Sequence, residues 1–166
     1  MLNMIEKYKI LLAKKEDTDE IMNLYNSHKG GPADWNEYYP NEDTIAFDLS
    51  RDSLFVMKNE SGEIIAVISI DRDENVDNLE CWDKSRVPAG EVSRLCVRGD
   101  MQNQGIAKVM MEHVFEVLRH RGMKMVHILV RTGHVAALKS YAKLGFEQVA
   151  ECEVFDKQFV CMEKAL

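Results

Sequence analysis

No run of about 18 consecutive apolar residues occurs in this 166-residue chain, so a membrane-crossing helix is not expected. Its first residues, MLNMIEKYKILLAKKEDTD, carry neither a long apolar stretch nor a small-residue cleavage site of the kind that directs secretion. The four cysteines, Cys81, Cys96, Cys152 and Cys161, form no C-x-x-C pair and sit mostly in apolar runs. That reads as core packing in a reducing compartment rather than as disulfides or a metal site, so a cytoplasmic protein without a metal is expected. Internal repeats, low-complexity tracts and linker-like segments are also missing. Residues 1–166 are therefore expected to form one domain, long enough to bury a core without covalent staples.

A basic surplus is missing too. The net charge is -7, which argues against nucleic acid as a partner, because phosphate neutralisation needs a cationic face. The charge is unevenly spread: residues 1–90 hold 10 Lys+Arg against 19 Asp+Glu, and residues 91–166 hold 11 against 9. The second half suits an anionic ligand and the first a cationic one, although acids that merely solvate loops give the same count.

What is present is a regular alternation of strand-like and helix-like segments. Tyr8 to Ala13 reads as a strand, and Glu16 to Glu20 places acids at the start of a helix whose buried face is Ile21, Leu24 and Tyr25. A glycine, proline and aromatic loop over 28–41 precedes a helix from Glu42 to about Leu49. Leu54–Met57 and Ile64–Ile70 read as a hairpin across Lys58-Asn59-Glu60-Ser61-Gly62-Glu63, and an acidic loop from Asp71 to Gly90 leads to a fourth strand. Ile106, Val109, Met110, Val114, Val117 and Leu118 make an apolar stripe that stops at Gly122. Val126–Val130 is a fifth strand, His134–Leu144 a helix, and Phe146–Ala150 and Gln158–Glu163 the last strands. This order predicts an α/β fold with a mixed sheet and helices on both faces.

The most specific segment is Glu91 to Ala107, EVSRLCVRGDMQNQGIA. It reads as a strand, then a loop of small and polar residues, then directly a helix. The first N–H groups of a helix lack intrahelical partners and carry the positive end of its dipole, so such a loop suits a pyrophosphate. It lacks the first glycine of a dinucleotide fingerprint and the Gly-Lys-Ser/Thr end of a P-loop, which excludes those two readings.

Gln102-x-x-Gly105-x-Ala107 closely resembles the Gln/Arg-x-x-Gly-x-Gly/Ala signature of the GCN5-related N-acetyltransferase (GNAT) family. Arg94-Leu95-Cys96-Val97 resembles that family's fourth strand, and His134-x-x-Ala137-x-x-x-Tyr141-x-x-x-Gly145-Phe146 its Asn-x-x-Ala-x-x-x-Tyr-x-x-x-Gly-Phe element. His134 departs from the usual Asn, and Gly99 stands where proline is usual. The resemblance implies the GNAT fold, in which the fourth and fifth strands splay apart and acetyl-CoA wedges between them. It implies cofactor contacts from the main chain of Leu95, Cys96 and Val97, from Gln102, Asn103, Gln104, Gly105, Ile106 and Ala107, and from His134. It also implies acetyl transfer to a primary amine through a ternary complex, with Val97 N–H meeting the oxyanion and Tyr141 as proton donor to the thiolate.

For the base, the reading is Glu91, which alternation would place on one face with Ser93, Leu95 and Val97; a solvated residue at a strand entry is the alternative. Trp35, Tyr38 and Tyr39 lie in the loop that covers the acceptor in similar proteins, where they either wall the substrate pocket or anchor the loop. The expected acceptor is a small-molecule amine. The alternatives are a protein N-terminus, as in ribosomal-protein acetyltransferases, or a silent acyl-CoA-binding module. A homodimer is common in similar proteins, and neither membrane nor nucleic acid is expected as a partner.

From the acidic first half follows a test. For a cationic amine, kcat/KM should fall as ionic strength rises through about 0.1 M, where the Debye length is about 10 Å, while kcat at saturation changes little. An efficiency indifferent to salt would assign those acids to solvation alone.

Overall fold

A computed structural model describes residues 4–166. Its elements are β1 (Lys9–Leu12), α1 (Thr18–Ser27), α2 (Glu42–Ser50), β2 (Leu54–Lys58), β3 (Ile64–Asp71), α3 (Glu74–Asp77), β4 (Ala89–Val97), α4 (Ile106–His120), β5 (Met125–Arg131), α5 (Val135–Lys143), β6 (Glu147–Val154) and β7 (Lys157–Ala165). Seven strands form one mixed sheet in the order β1-β2-β3-β4-β5-β7-β6. Only β4 and β5 run parallel. They pair over Ala89–Glu91 against Met125–His127 and then separate, so from Val92 onward β4 has a partner on one side only.

Helices cover both faces. On one, Ile21, Leu24 and Tyr25 of α1 and Ile45 of α2 pack on Leu54, Val56, Val67 and Cys96. On the other, α4 buries Ile106, Met110, Met111, Val114, Phe115 and Leu118 against Phe55, Met57, Ile68 and Val126. Each such side chain contributes about 1.5–3 kcal/mol relative to exposure. The buried face of α4 is turned slightly from the stripe expected: Met111 and Phe115 are inside, whereas Val109 and Val117 are half-buried. α4 can lie close to the sheet because β4 carries Gly90 beneath it. A Cβ there would sit 2.6 Å from Leu118 Cδ2.

Two segments depart from the sequence reading. The acidic loop contains the short helix α3, started by Asp73, whose carboxylate accepts from Asn75 N–H at 2.9 Å. Trp82, buried, donates its indole N–H to the Val76 carbonyl at 2.7 Å and stacks on His127, so it anchors this loop to the sheet. The last two strands are longer than expected and are joined by Phe155-Asp156, with φ of 55° and 59°. Two successive left-handed residues make a tight hairpin turn whose usual signature is Asn-Gly. A phenylalanine there gives no such signal.

The centre of the α1–α2 face is polar. Arg94 sits in β4 with φ 53°, where the register against β3 slips between Val67 and Ser69. This bulge turns its side chain under α2. There its guanidinium donates to both Asp48 oxygens at 2.9 and 3.0 Å, to Asp71 at 2.8 Å and to the Tyr39 hydroxyl at 2.8 Å. Ser69 and Arg51 complete the shell of Asp48, which is fully buried. Removing one partner of such a pair leaves an uncompensated charge in the core. Arg94→Met should therefore lose about 3–5 kcal/mol in denaturant unfolding. Adding Asp48→Asn should recover part of that loss, because the two sites share one network. A loss under about 1 kcal/mol would mean that water reaches this network.

Candidate functional site

The divergence of β4 from β5 opens a cleft of about 610 Å³. It brings together residues far apart in sequence: Trp35 and Tyr39 from the α1–α2 loop, Asp71 to Asp73 at the end of β3, Glu91 to Leu95 of β4, Ile128 to Arg131 of β5, His134 just before α5 and Tyr141 within it. Of the residues expected at a site, Glu91, Leu95, Tyr141, His134, Trp35 and Tyr39 line this space. Tyr38 does not. It is 75% exposed and points away from the cleft, while its backbone N–H is held by Asn36.

The bulge at Arg94 also changes the facing of β4. Glu91 pairs with Asp71 and shares the α1–α2 face with Arg94 and Cys96, whereas Val92, Leu95 and Val97 pack toward the α4 side. The expected grouping of Glu91 with Leu95 and Val97 is thus corrected, because the extra residue shifts the alternation by one. Main-chain directions follow from the pairing with β3. Arg98 N–H bonds the Ile65 carbonyl at 2.8 Å, so Ala66 and Val97 form a non-hydrogen-bonded pair and Cys96 exchanges its bonds with Val67. Cys96 therefore has no main-chain group free toward the splay. Its thiol is buried against the Leu24 carbonyl at 3.8 Å, and burial pushes it up to about 12. The N–H of Val97, by contrast, points into the gap between the strands.

Beyond Val97 the chain turns sharply into α4. Gly105, at φ 81° and ψ 8°, is the residue before the helix, a backbone that glycine adopts without strain. Among the described residues, no acceptor meets the N–H groups of Asn103, Gln104, Gly105, Ile106, Ala107 and Lys108. Asn103, with φ 61°, adds a second left-handed residue, and the run of N–H groups curls into a concave, electropositive nest. The Gln102 side chain turns back instead, donating to the Val97 carbonyl at 3.2 Å and lying 3.4 Å from His28 Nε2. Ile106 is buried in the core, so only its backbone faces the loop.

Glu91 is 4% exposed and, among the described residues, makes no side-chain hydrogen bond. Burial, reinforced by the fields of Asp71 and Asp77, raises its carboxyl to about 9. Tyr141 packs on Phe146 with ring centroids 5.9 Å apart, and burial raises its phenol to about 12, so it holds its proton at neutral pH. His134 precedes α5 without capping it, and burial lowers its imidazole. Trp35 meets Tyr25 edge-on at 5.5 Å, so one residue both anchors the loop and walls the cleft. The Tyr39 ring already faces Arg94 at 6.0 Å. Sequence reasoning did not single out Asp48, Asp71 or Arg94 as a unit, nor Arg131, Phe155, Lys157 and Phe159. The one available signal was Asp48, a charge three residues after Ile45 on the buried face of α2.

The acetyltransferase (GNAT) family model matches residues 18–146. The chain is 23% identical over 154 residues to an uncharacterized N-acetyltransferase of Methanocaldococcus jannaschii, a match covering 88% of this chain and 63% of that protein, so the chain spans under two thirds of that relative's length. Among solved structures it resembles a ribosomal-protein-alanine N-acetyltransferase from Brucella melitensis, with TM-score 0.76 and 20% identity over 95% of this chain and 99% of that one. It also resembles an acetyltransferase from Salmonella typhimurium solved with its cofactor acetyl-CoA, with TM-score 0.74 and 20% identity over 96% and 94% of the two chains. At these identities the likeness is one of fold. The splayed mixed sheet expected from the sequence is thus present, and no helix among the described residues is long and apolar enough to cross a membrane.

The state of Glu91 can be tested without a substrate. Its folded value of about 9 lies above that of an unfolded glutamate, about 4.3, so folding takes up a proton between those pH values. The penalty from Glu91 therefore grows as pH rises from about 5 to about 9 and then levels off. Glu91→Gln should melt higher than the native protein by a margin that widens over this range, reaching at least about 2 kcal/mol at pH 9. A margin independent of pH would mean that Glu91 is solvated and ionised.

Proposed function

The chain belongs to the acetyltransferase (GNAT) family, and from that premise we propose that it is an acetyl-CoA-dependent N-acetyltransferase acting on a small primary amine. The observation that carries this reading is the meeting of a buried carboxyl (Glu91) and a protonated phenol (Tyr141) in the cleft where β4 parts from β5, with the N–H of Val97 facing the same gap farther along β4. The residues present suit the cofactor. The nest from Asn103 to Lys108 would hold the pyrophosphate, and the free edge of β4 would bond the pantetheine arm as a neighbouring strand does. When bound, the cofactor supplies an activated acetyl group.

In this reading Glu91, protonated in the empty cleft, gives up its proton to solvent as the cationic acceptor arrives, then takes one from the ammonium and frees its lone pair. Attack on the thioester carbonyl forms the C–N bond, and Val97 N–H stabilises the oxyanion, a contribution of about 3 kcal/mol for a preorganised donor. As the C–S bond breaks, Tyr141 donates its proton to the leaving sulfur and regains one from the amide nitrogen or solvent. The cleft contains a proton acceptor and a proton donor with separate environments, which favours transfer over a silent acyl-CoA-binding module. Residues 1–166 would act as one catalytic domain, in the cytoplasm.

Tyr141→Phe tests this assignment, since only the hydroxyl is lost. Acetyl-CoA affinity by calorimetry should stay within about twofold, while turnover measured as CoA release falls by about 10² to 10⁴. Full turnover in a folded variant under chemistry-limited conditions would reduce Tyr141 to packing.

A further inference from the structure

The acceptor end of the cleft is bridged by three segments distant in sequence. Asp34 of the α1–α2 loop meets Lys157 at the start of β7 and Arg131 at the end of β5, and all three line the cleft. Lys157 Nζ donates to the Asp34 carbonyl at 2.7 Å and lies 3.2 Å from Asp34 Oδ2, while Arg131 Nη2 lies 3.4 Å from the same oxygen. Both sides of the bridge are built to present it. Asp34 has φ 60°, its N–H bonds the Gly31 carbonyl at 2.9 Å, and the next residue is Trp35, which keys the loop onto buried Tyr25. Across the gap, the tight turn at Phe155-Asp156 fixes Lys157 as the first residue of β7, and the Arg131 guanidinium lies over Phe159 at 5.6 Å.

We propose that this bridge is the size filter of the acceptor site: Asp34, Lys157 and Arg131 join loop to hairpin across the way out, admitting a small amine and excluding an extended polypeptide N-terminus. The inference rests on the acetyltransferase reading. A peptide whose amine lies beside Glu91 must leave the cleft at about 3.3 Å per residue. Trp35 and Tyr39 wall one side of that path and Phe155 and Phe159 the other, so the chain would pass between loop and hairpin, where the bridge stands. The 610 Å³ must also hold the thioester arm, which leaves little room for an acceptor to fold back. One carboxylate shared by two cations and a main-chain bond resists opening better than an isolated surface pair, yet it is exposed enough to be broken without unfolding the core.

The test compares one reacting amine on two bodies. CoA release is measured for the full chain with a panel of small primary amines that includes alaninamide, and with a hexapeptide amide beginning with alanine. The native protein should prefer the small acceptors at least 100-fold in kcat/KM. Asp34→Asn keeps a residue that tolerates φ 60° but removes the charge, and it should raise the ratio of hexapeptide to small-amine efficiency at least tenfold. Lys157→Ala removes both of its contacts and should do the same, so the result does not depend on one variant folding. Native turnover of the hexapeptide within threefold of the best small amine, or ratios unmoved in both variants, would overturn the filter and leave the acetyltransferase reading standing. No CoA release with any acceptor, while acetyl-CoA still binds by calorimetry, would overturn both.

Discussion

The guanidinium of Arg94 is the constraint on which the rest of the structure depends. It is held between Asp48 of α2 and Asp71 of β3, with the Tyr39 hydroxyl on a third side, and so ties a helix, a strand and the α1–α2 loop to one residue of β4. Reaching all three requires the left-handed backbone that makes the bulge, a conformation costing on the order of 1–3 kcal/mol for a non-glycine residue. Charge-assisted bonds to two carboxylates hold the residue there, because releasing the guanidinium would leave Asp48 buried without its partner. The bulge lies a few residues beyond Glu91, where the pairing with β5 ends, so the polar core and the opening of the cleft are neighbours on one strand.

The same network sets the character of Glu91. Asp71 faces Glu91 across the β3–β4 pair, and Arg94 neutralises Asp71 more directly than it does Glu91. Burial works to raise Asp71, but the Arg94 contact outweighs it and holds that carboxyl below its usual range. Glu91, with burial and the neighbouring acids Asp71, Asp77 and Asp73 against it, is raised instead. Two carboxyls one strand apart thus carry different protonation at neutral pH because only one has a guanidinium partner.

Much of this was legible in the sequence, and the division follows the range of the forces. Periodicity located α1, α2, α4, α5 and the strands, since apolar spacing is a local property that burial enforces. The loop before α4 was legible because small residues, a strand end and a helix start stand within seventeen residues. What escaped was decided by contacts across the fold. Nothing local marks Arg94 for a positive φ, and without that bulge alternation assigns Leu95 and Val97 to the wrong face. Phe155-Asp156 adopts a turn that its residue types disfavour, so β6 and β7 were read short. Tyr38 and Tyr39 are adjacent and chemically alike, yet only Tyr39 meets Arg94, a distinction that depends on a residue 55 positions away.

The raised carboxyl at Glu91 bears on how an amine would lose its proton in the proposed reaction. A glutamate near its ordinary value would be a poor match for an ammonium of pKa about 10, because transfer uphill by about six units costs about 8 kcal/mol. At about 9 in the empty cleft the mismatch is only about one unit, and it widens to the extent that the ammonium's own charge lowers Glu91. The empty cleft then holds a neutral acid, and an incoming ammonium, by its own charge, favours ionisation of Glu91 as it arrives. In the proposed reaction the acceptor would itself generate the base, and a buried carboxylate would not be left uncompensated between turnovers. The burial that makes Glu91 costly to the fold is the property that fits it to the chemistry.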